Sequence, residues 1–181
     1  MKLTIAILIA GAACAYAADP APMTVGKMYD AQLKNAEDEF VPLAEAMPED
    51  KFSFKPTGGV LATVRTFGDQ IKHVATVNYM VASKVLGQNP PRDLGKGESG
   101  PDDVNGKAAI VKYLKDSFAY AHKAMMSLTA QNEMEMIALP WGDQKSPRAA
   151  LANVVITHSF DHYGQMVIYA RMNGVVPPAS R

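Results

Sequence analysis

Cysteine is almost absent from this sequence of 181 residues, because Cys14 is the only one. If the first 17 residues are removed as a leader, the remaining chain has no thiol. Disulfides, zinc sites built from cysteine and a catalytic thiol are then excluded. Any metal or acid-base chemistry must come from histidines and carboxylates.

The sequence also lacks an excess of charge of either sign, since 18 Lys and Arg residues balance 18 Asp and Glu residues. Nucleic-acid binding depends on positive charge that neutralises phosphates, so we expect no nucleic-acid partner. No apolar run reaches the roughly 18 residues that cross a bilayer, so we expect no stable membrane insertion. Three motifs are also missing. The absence of C-x-x-C-H argues against covalent haem, that of a Gly-rich loop against phosphate binding of this type, and that of G-x-S-x-G against a serine nucleophile.

The N-terminus has the features of a secretory signal peptide. Lys2 precedes an apolar run from Leu3 to Ala13, and the small residues that follow end in an A-x-A cleavage site at 15–17. We predict cleavage after Ala17 and a periplasmic or secreted protein, with residues 18–181 forming a single domain. The alternative is a lipoprotein anchored at Cys14, but position 11 is a glycine where such signals usually carry leucine.

Four long segments repeat apolar residues at alternating spacings of three and four, the period of packed helices. The rows are Tyr29, Leu33, Ala36, Phe40, Leu43 and Met47; Phe67, Ile71, Val74, Asn78, Val81 and Val85; Val111, Leu114, Phe118, Ala121, Met125 and Leu128; and Leu151, Val155, His158, His162, Gln165, Tyr169 and Met172. No alternating strand pattern accompanies them. We predict an all-α fold, an antiparallel four-helix bundle with long loops.

Local signals predict where the fourth helix begins and ends. Ser146 followed by Pro147 predicts an N-cap and the first helical position. Asn173 followed by Gly174 predicts the C-terminal end. Residues 87–106, with five glycines and three prolines, are predicted to form a loop. Residues 48–65 are predicted to form a crossover that packs aromatic side chains over one end of the bundle.

The placement of histidine is the most informative feature of the chain. His158 and His162 lie one helical turn apart where a bundle expects aliphatic residues, so both imidazoles can reach one ion. His73 lies at the edge of the second apolar row and completes a three-nitrogen set if the second and fourth helices are neighbours. Three histidines leave a coordination position open, as catalytic sites do. The alternative is a group of core histidines that only form hydrogen bonds. His122 is predicted to be solvated or to cap a helix.

Carboxylates contribute less to the predicted site. No Glu-x-x-His motif occurs, which excludes a ferritin-like di-iron centre. The acidic run 37–39 is predicted to be solvated, and Asp161 to lie at the surface or to support a ligand. Gln165 is the candidate for a hydrogen bond to a metal-binding residue or for a contact with substrate. Tyr169 can donate a hydrogen bond or serve as a core aromatic.

Three stretches resemble the DinB-like superfamily of metal-binding four-helix proteins: KFSFKP, VRTFGDQIKHVATVNY and THSFDHYGQMVIYARMNGVVPPAS. The most specific parts are a histidine early in the second helix and H-x-x-x-H followed by Gly-Gln in the last. They match His73, His158 and His162, with Gly164 and Gln165 after them. The resemblance implies one divalent ion bound by the three histidines, with zinc, nickel or iron the leading candidates.

The resemblance also implies a range of activities. Members include thiol S-transferases and a thiol-dependent isomerase, and related bundles often pair as homodimers. Two departures matter: Tyr163 stands where many relatives carry arginine for an anionic substrate, and an exported protein is separated from cytosolic thiols. We expect a metal-dependent hydrolase, isomerase or thiol transferase acting on an unidentified small molecule. A non-catalytic periplasmic metal or small-molecule binder and an exported haem carrier are the alternatives.

Overall fold

The computed structural model describes residues 22–181, so the predicted leader, its cleavage site and Cys14 lie outside the described residues. The described chain is mostly helical. Its four long helices are α1 (Val25–Ala46), α2 (Phe67–Leu86), α3 (Gly106–Met126) and α4 (Arg148–Met172). Two short strands, β1 (Met136–Ala138) and β2 (Lys145–Pro147), lie between α3 and α4. The four predicted helical segments are therefore confirmed.

The apolar rows predicted for the first three helices form the core, where nearly every member is buried. The fourth row follows the core only in part, because Gln165 and Met172 are exposed and Met166 is buried instead. Tyr169 of the same row is buried, so the row leaves the core only at these two positions.

Helix directions differ from the predicted antiparallel arrangement for one neighbouring pair. Side-chain hydrogen bonds join Thr76 to Tyr113, Asn78 to Ser117 and Ser83 to Tyr120. The residue numbers rise together on both helices, so α2 and α3 run parallel. The prediction is wrong for this pair, because the long connection 87–105 lets the chain return to the end of the bundle where α2 began.

The start of α4 also differs from the prediction. Ser146 and Pro147 belong to β2, which pairs antiparallel with β1, and α4 begins at Arg148. The first amides of α4 donate instead to the backbone of the preceding segment: Arg148 N to Glu135 O at 2.8 Å and Ala149 N to Glu133 O at 2.9 Å. These carbonyls satisfy the unpaired N–H groups that a serine cap would otherwise serve. The strands escaped prediction because three residues are too few to show alternation.

Two long connections bring irregular segments onto the helices that carry the histidines. In the crossover after α1, Phe52 packs against Phe67 and Phe54 packs against Tyr169, with ring centroids 5.4 and 6.0 Å apart. In the loop 87–105, Gly100 has a φ of +82°, and a Cβ there would lie 3.0 Å from the Thr76 hydroxyl oxygen. This close approach seats the loop on α2. Within residues 22–181 no helix combines the length and the apolarity that a membrane crossing requires.

Candidate metal centre

Three histidines meet between α2 and α4. His158 Nε2 lies 3.1 Å from His73 Nε2 and 3.0 Å from His162 Nε2. The two helices run antiparallel, because contacts join Val85 to Arg148, His73 to His158 and Gln70 to Gln165, so the numbers fall on α2 as they rise on α4. One ligand-capable nitrogen from each residue lies within 4.8 Å of the others. The cluster predicted from the sequence is therefore assembled in the fold.

The donor set fits a divalent ion. Nitrogens bound at 2.0–2.1 Å in a tetrahedral zinc site are about 3.3 Å apart, close to the spacing of these Nε2 atoms. A neutral imidazole nitrogen carries either one proton or one lone pair. His158 Nε2 therefore cannot form a good hydrogen bond with both of its neighbours, whereas an ion accepts a lone pair from each ring. Crowding of three such nitrogens is better explained by a metal than by hydrogen bonds alone.

The electrostatics favour metal binding over protonation. Burial lowers the pKa of all three histidines, to about 3 for His158 and about 4 for His162, and for His73 by an amount that the backbone contact with Glu98 partly offsets. Mutual repulsion between the rings lowers the His158 pKa further. Neutral imidazole is the form that binds metal. At neutral pH the three rings are therefore ready to act as ligands.

Outer contacts hold two of the three rings. His73 Nδ1 lies 3.1 Å from the Glu98 carbonyl oxygen in the loop seated on α2. The Gln70 amide lies 2.7 Å from His162 Nδ1. Gln70 uses the same amide nitrogen to donate to Gln165, so it holds the His162 ring from the Nδ1 side. Contacts of this kind orient a ligating ring.

A chain of amides continues outward from His162. The Gln70 amide nitrogen lies 2.6 Å from Gln165 Oε1, and the Gln165 amide nitrogen lies 3.1 Å from Asp161 Oδ2. Gln165 thus supports the site through Gln70, and Asp161 supports Gln165 from the surface. Tyr169, the other predicted supporting residue, donates to the Arg65 carbonyl at 3.3 Å and touches no histidine through its hydroxyl.

Gln70 and Glu98 were missed by the sequence analysis. Gln70 lies three residues before His73, one turn earlier on the same face of α2, so a polar residue there was a usable signal. Glu98 belongs to a loop without periodicity and contributes a backbone carbonyl, which no side-chain pattern can indicate.

His122 lies apart from the cluster. Its Nδ1 is 2.7 Å from Asp30 Oδ1 and its Nε2 is 3.3 Å from Glu37 Oε2, so it joins α3 to α1. The prediction of a solvated or capping residue is wrong, because the half-buried ring contacts carboxylates of another helix. Of the acidic run that was predicted to be solvated, Glu37 contacts His122, and Asp38 pairs with Lys34 on the surface.

The fold and the cluster together define a four-helix protein with a candidate three-histidine metal site on two adjacent helices. The family model of the DinB superfamily matches residues 32–166, and the chain belongs to this superfamily. No curated protein matches the sequence.

Solved structures share the fold at low sequence identity. A DinB-like protein from Bacillus subtilis has a TM-score of 0.62 and 18% identity, over 81% of this chain and 92% of that one. A DinB-like protein from Bacillus cereus has a TM-score of 0.65 and 16% identity, over 83% and 93%. A conserved protein from Enterococcus faecalis has a TM-score of 0.66 and 14% identity, over 83% and 98%. At these identities the similarity establishes the fold alone.

The contact between Gln70 and His162 leads to a prediction. Gln70→Ala will weaken metal binding by about 10- to 100-fold, because His162 loses the partner that holds its ring in place. Competition with a chromogenic chelator measures this affinity. The matched control is Asn78→Ala, which removes another buried amide of α2 that bonds Ser117 instead of a histidine. Equal metal affinities for the two variants would show that Gln70 has no positioning role.

Proposed function

We propose that this protein is an exported metalloprotein that holds one divalent ion through His73, His158 and His162. The observation that carries the proposal is the convergence of their Nε2 atoms from two helices, with two separations of 3.0 and 3.1 Å. Burial keeps the rings neutral, and imidazole donors suit zinc, nickel and iron. The resemblance and the membership of the DinB superfamily support the same assignment.

We further propose metal-dependent catalysis of the hydrolase, isomerase or thiol-transferase type. A bound ion with three protein ligands supplies a Lewis acid with an open coordination position. The protein holds the rings in place through Gln70 and the Glu98 carbonyl. A cavity of about 400 Å³ lies beside His162 and is large enough for a small molecule. The non-catalytic alternative uses the same ion and cavity for binding.

The proposal also covers the export of the protein and its oligomeric state. Lys2, the apolar run after it and the A-x-A sequence ending at Ala17 support release of the mature chain into the periplasm or medium. This location separates the protein from cytosolic thiols, which favours hydrolysis or isomerisation over thiol transfer. A homodimer stays a prediction that rests on the resemblance.

Titration of the chelator-stripped protein with Zn²⁺, Ni²⁺ or Fe²⁺ tests the proposal. We expect binding of one ion per chain and a higher thermal midpoint. Free metal at 100 times its dissociation constant stabilises the folded state by about 2.7 kcal/mol. An unchanged midpoint with all three ions would contradict the proposal. Metal binding without turnover of ester, isomerisable or thiol substrates would favour the non-catalytic alternative.

A further inference from the structure

The loop 87–105 contacts the histidine cluster through Glu98. The Glu98 carbonyl oxygen lies 3.1 Å from His73 Nδ1, and its carboxylate oxygen Oε2 lies 3.7 Å from the same nitrogen. A carbonyl oxygen only accepts hydrogen bonds, so this contact requires a proton on His73 Nδ1. The neutral ring then has its lone pair on Nε2, the nitrogen that faces His158. The tautomer that bonds the loop is therefore the one that can bind an ion.

Ion binding and loop contact favour the same state of His73. An ion takes the lone pair of Nε2 and leaves the proton on Nδ1, where the contact with an outer carbonyl fixes the ring and raises its basicity. Each event therefore stabilises the other. Thermodynamic linkage requires the two effects to be equal in size, so a loop that strengthens ion binding is itself held more tightly when the ion is bound.

The loop reaches His73 because Gly100 lies directly on α2. Gly100 is buried, and its φ is +82°. A Cβ at this position would lie 3.0 Å from the Thr76 hydroxyl oxygen and 3.2 Å from Lys72 Cε. The Thr76 hydroxyl donates to the Lys72 carbonyl at 2.7 Å and lies 3.1 Å from the Tyr113 hydroxyl, so it is held from two sides. A larger residue at position 100 would therefore push the loop away from α2.

Two other glycines of the loop differ in their surroundings. Gly95 has a φ of +73°, and a Cβ there would lie 2.6 Å from the Gly100 carbonyl oxygen. Gly97 has a φ of +63°, but among residues 22–181 a Cβ there would meet no atom within 4 Å apart from its chain neighbours. Substitution at 95 or 100 thus disturbs packing, whereas substitution at 97 affects only the local backbone.

We propose that Glu98 is a positioning residue for the metal: its backbone carbonyl holds His73 in the ligating tautomer, and the bound ion in turn fastens the loop 87–105 to α2. The inference rests on the proposed metal site and adds a segment that acts on it through His73. Gly100 then determines metal affinity although it is not a ligand.

Zinc affinity, measured by competition with a chromogenic chelator, tests the role of the loop. Asparagine tolerates a positive φ, so it isolates the effect of side-chain volume. We expect Gly100→Asn to weaken zinc binding by about 10-fold or more, because His73 loses its outer partner. The matched control is Gly97→Asn, which we expect to keep the affinity of the unmodified protein. Equal zinc affinities for these two variants would overturn the proposal.

A second variant keeps this test decisive if Gly100→Asn does not fold. Gly95→Asn displaces Gly100 from the other side, within the loop, and we expect it to weaken zinc binding as well. Circular dichroism shows whether each variant retains its helices. A folded Gly95→Asn with the zinc affinity of the unmodified protein would count against the positioning role.

Trypsin digestion measures the converse effect, that of the ion on the loop. Lys96 is exposed in the loop, and Lys145 is exposed in β2. We expect zinc to slow cleavage after Lys96 by about fivefold or more, and cleavage after Lys145 by less. The protection at Lys96 will be smaller in Gly100→Asn. Equal cleavage rates at Lys96 with and without bound zinc would contradict the coupling.

Zinc binding by the unmodified protein distinguishes failure of this inference from failure of the metal site. If the unmodified protein binds one zinc ion and the loop variants bind it equally well, Glu98 has no positioning role and the metal site stands. If the unmodified protein binds no zinc, the proposed metal site and the inference that rests on it are both wrong.

Discussion

Replacing His158 or His162 with alanine will abolish stoichiometric metal binding while most of the helical content remains. Each variant leaves two imidazoles, and the nitrogen at the centre of the cluster is lost in His158→Ala. Alanine is the best helix former, and the core packing of α4 is supplied by other residues. Circular dichroism measures the helices, and equilibrium dialysis against zinc measures the stoichiometry.

His122→Ala is the matched control for these variants. It removes an imidazole of the same size that bonds Asp30 and Glu37 instead of the other histidines. We expect it to retain the full metal content. If both α4 variants also keep one ion per chain, the three-histidine assignment is wrong.

Metal-free protein will lose stability as the pH falls below about 6.5. Burial holds the folded-state pKa of His158 at about 3 and of His162 at about 4, whereas the unfolded chain titrates near 6.5. Between these values the unfolded state binds more protons, so acid favours unfolding. The loss begins near the unfolded pKa and ends below the folded ones.

Urea denaturation of chelator-stripped protein between about pH 7.5 and 5 measures this loss. The window stays above the usual pKa of about 4.3 for glutamate, so histidines dominate the change. We expect a decline on the order of 1 kcal/mol per pH unit. The double variant His158→Gln, His162→Gln will show a smaller slope. A stability that is constant or rises toward pH 5 would show that these histidines are not buried in neutral form.

Much of the fold was predictable because three helices keep a regular apolar period. The direction of α3 beside α2 was not, since apolar spacing tells which face is buried and says nothing about the order of packing. The pairing of β1 with β2 was also beyond reach, because their three-residue strands carry no periodic signal. The start of α4 depends on the carbonyls of Glu133 and Glu135, which lie just before β1, so the serine signal at 146 misplaced it.

The candidate site was predictable to the extent that histidines interrupt an apolar row. His158 and His162 stand out on one helix. His73 can be assigned to the same site only when α2 and α4 are known to be neighbours. Glu98 lies in an irregular segment, and its contact with His73 arises only in the folded chain. Sequence pattern finds the candidate ligands, while the groups that orient them depend on tertiary structure.

Elemental analysis of the mature protein, purified without an affinity tag or chelator, tests the central claim most directly. We expect one divalent ion per chain, bound where the three histidines converge. Protein that contains no ion, and takes up none after reconstitution with zinc, nickel or iron, would contradict it.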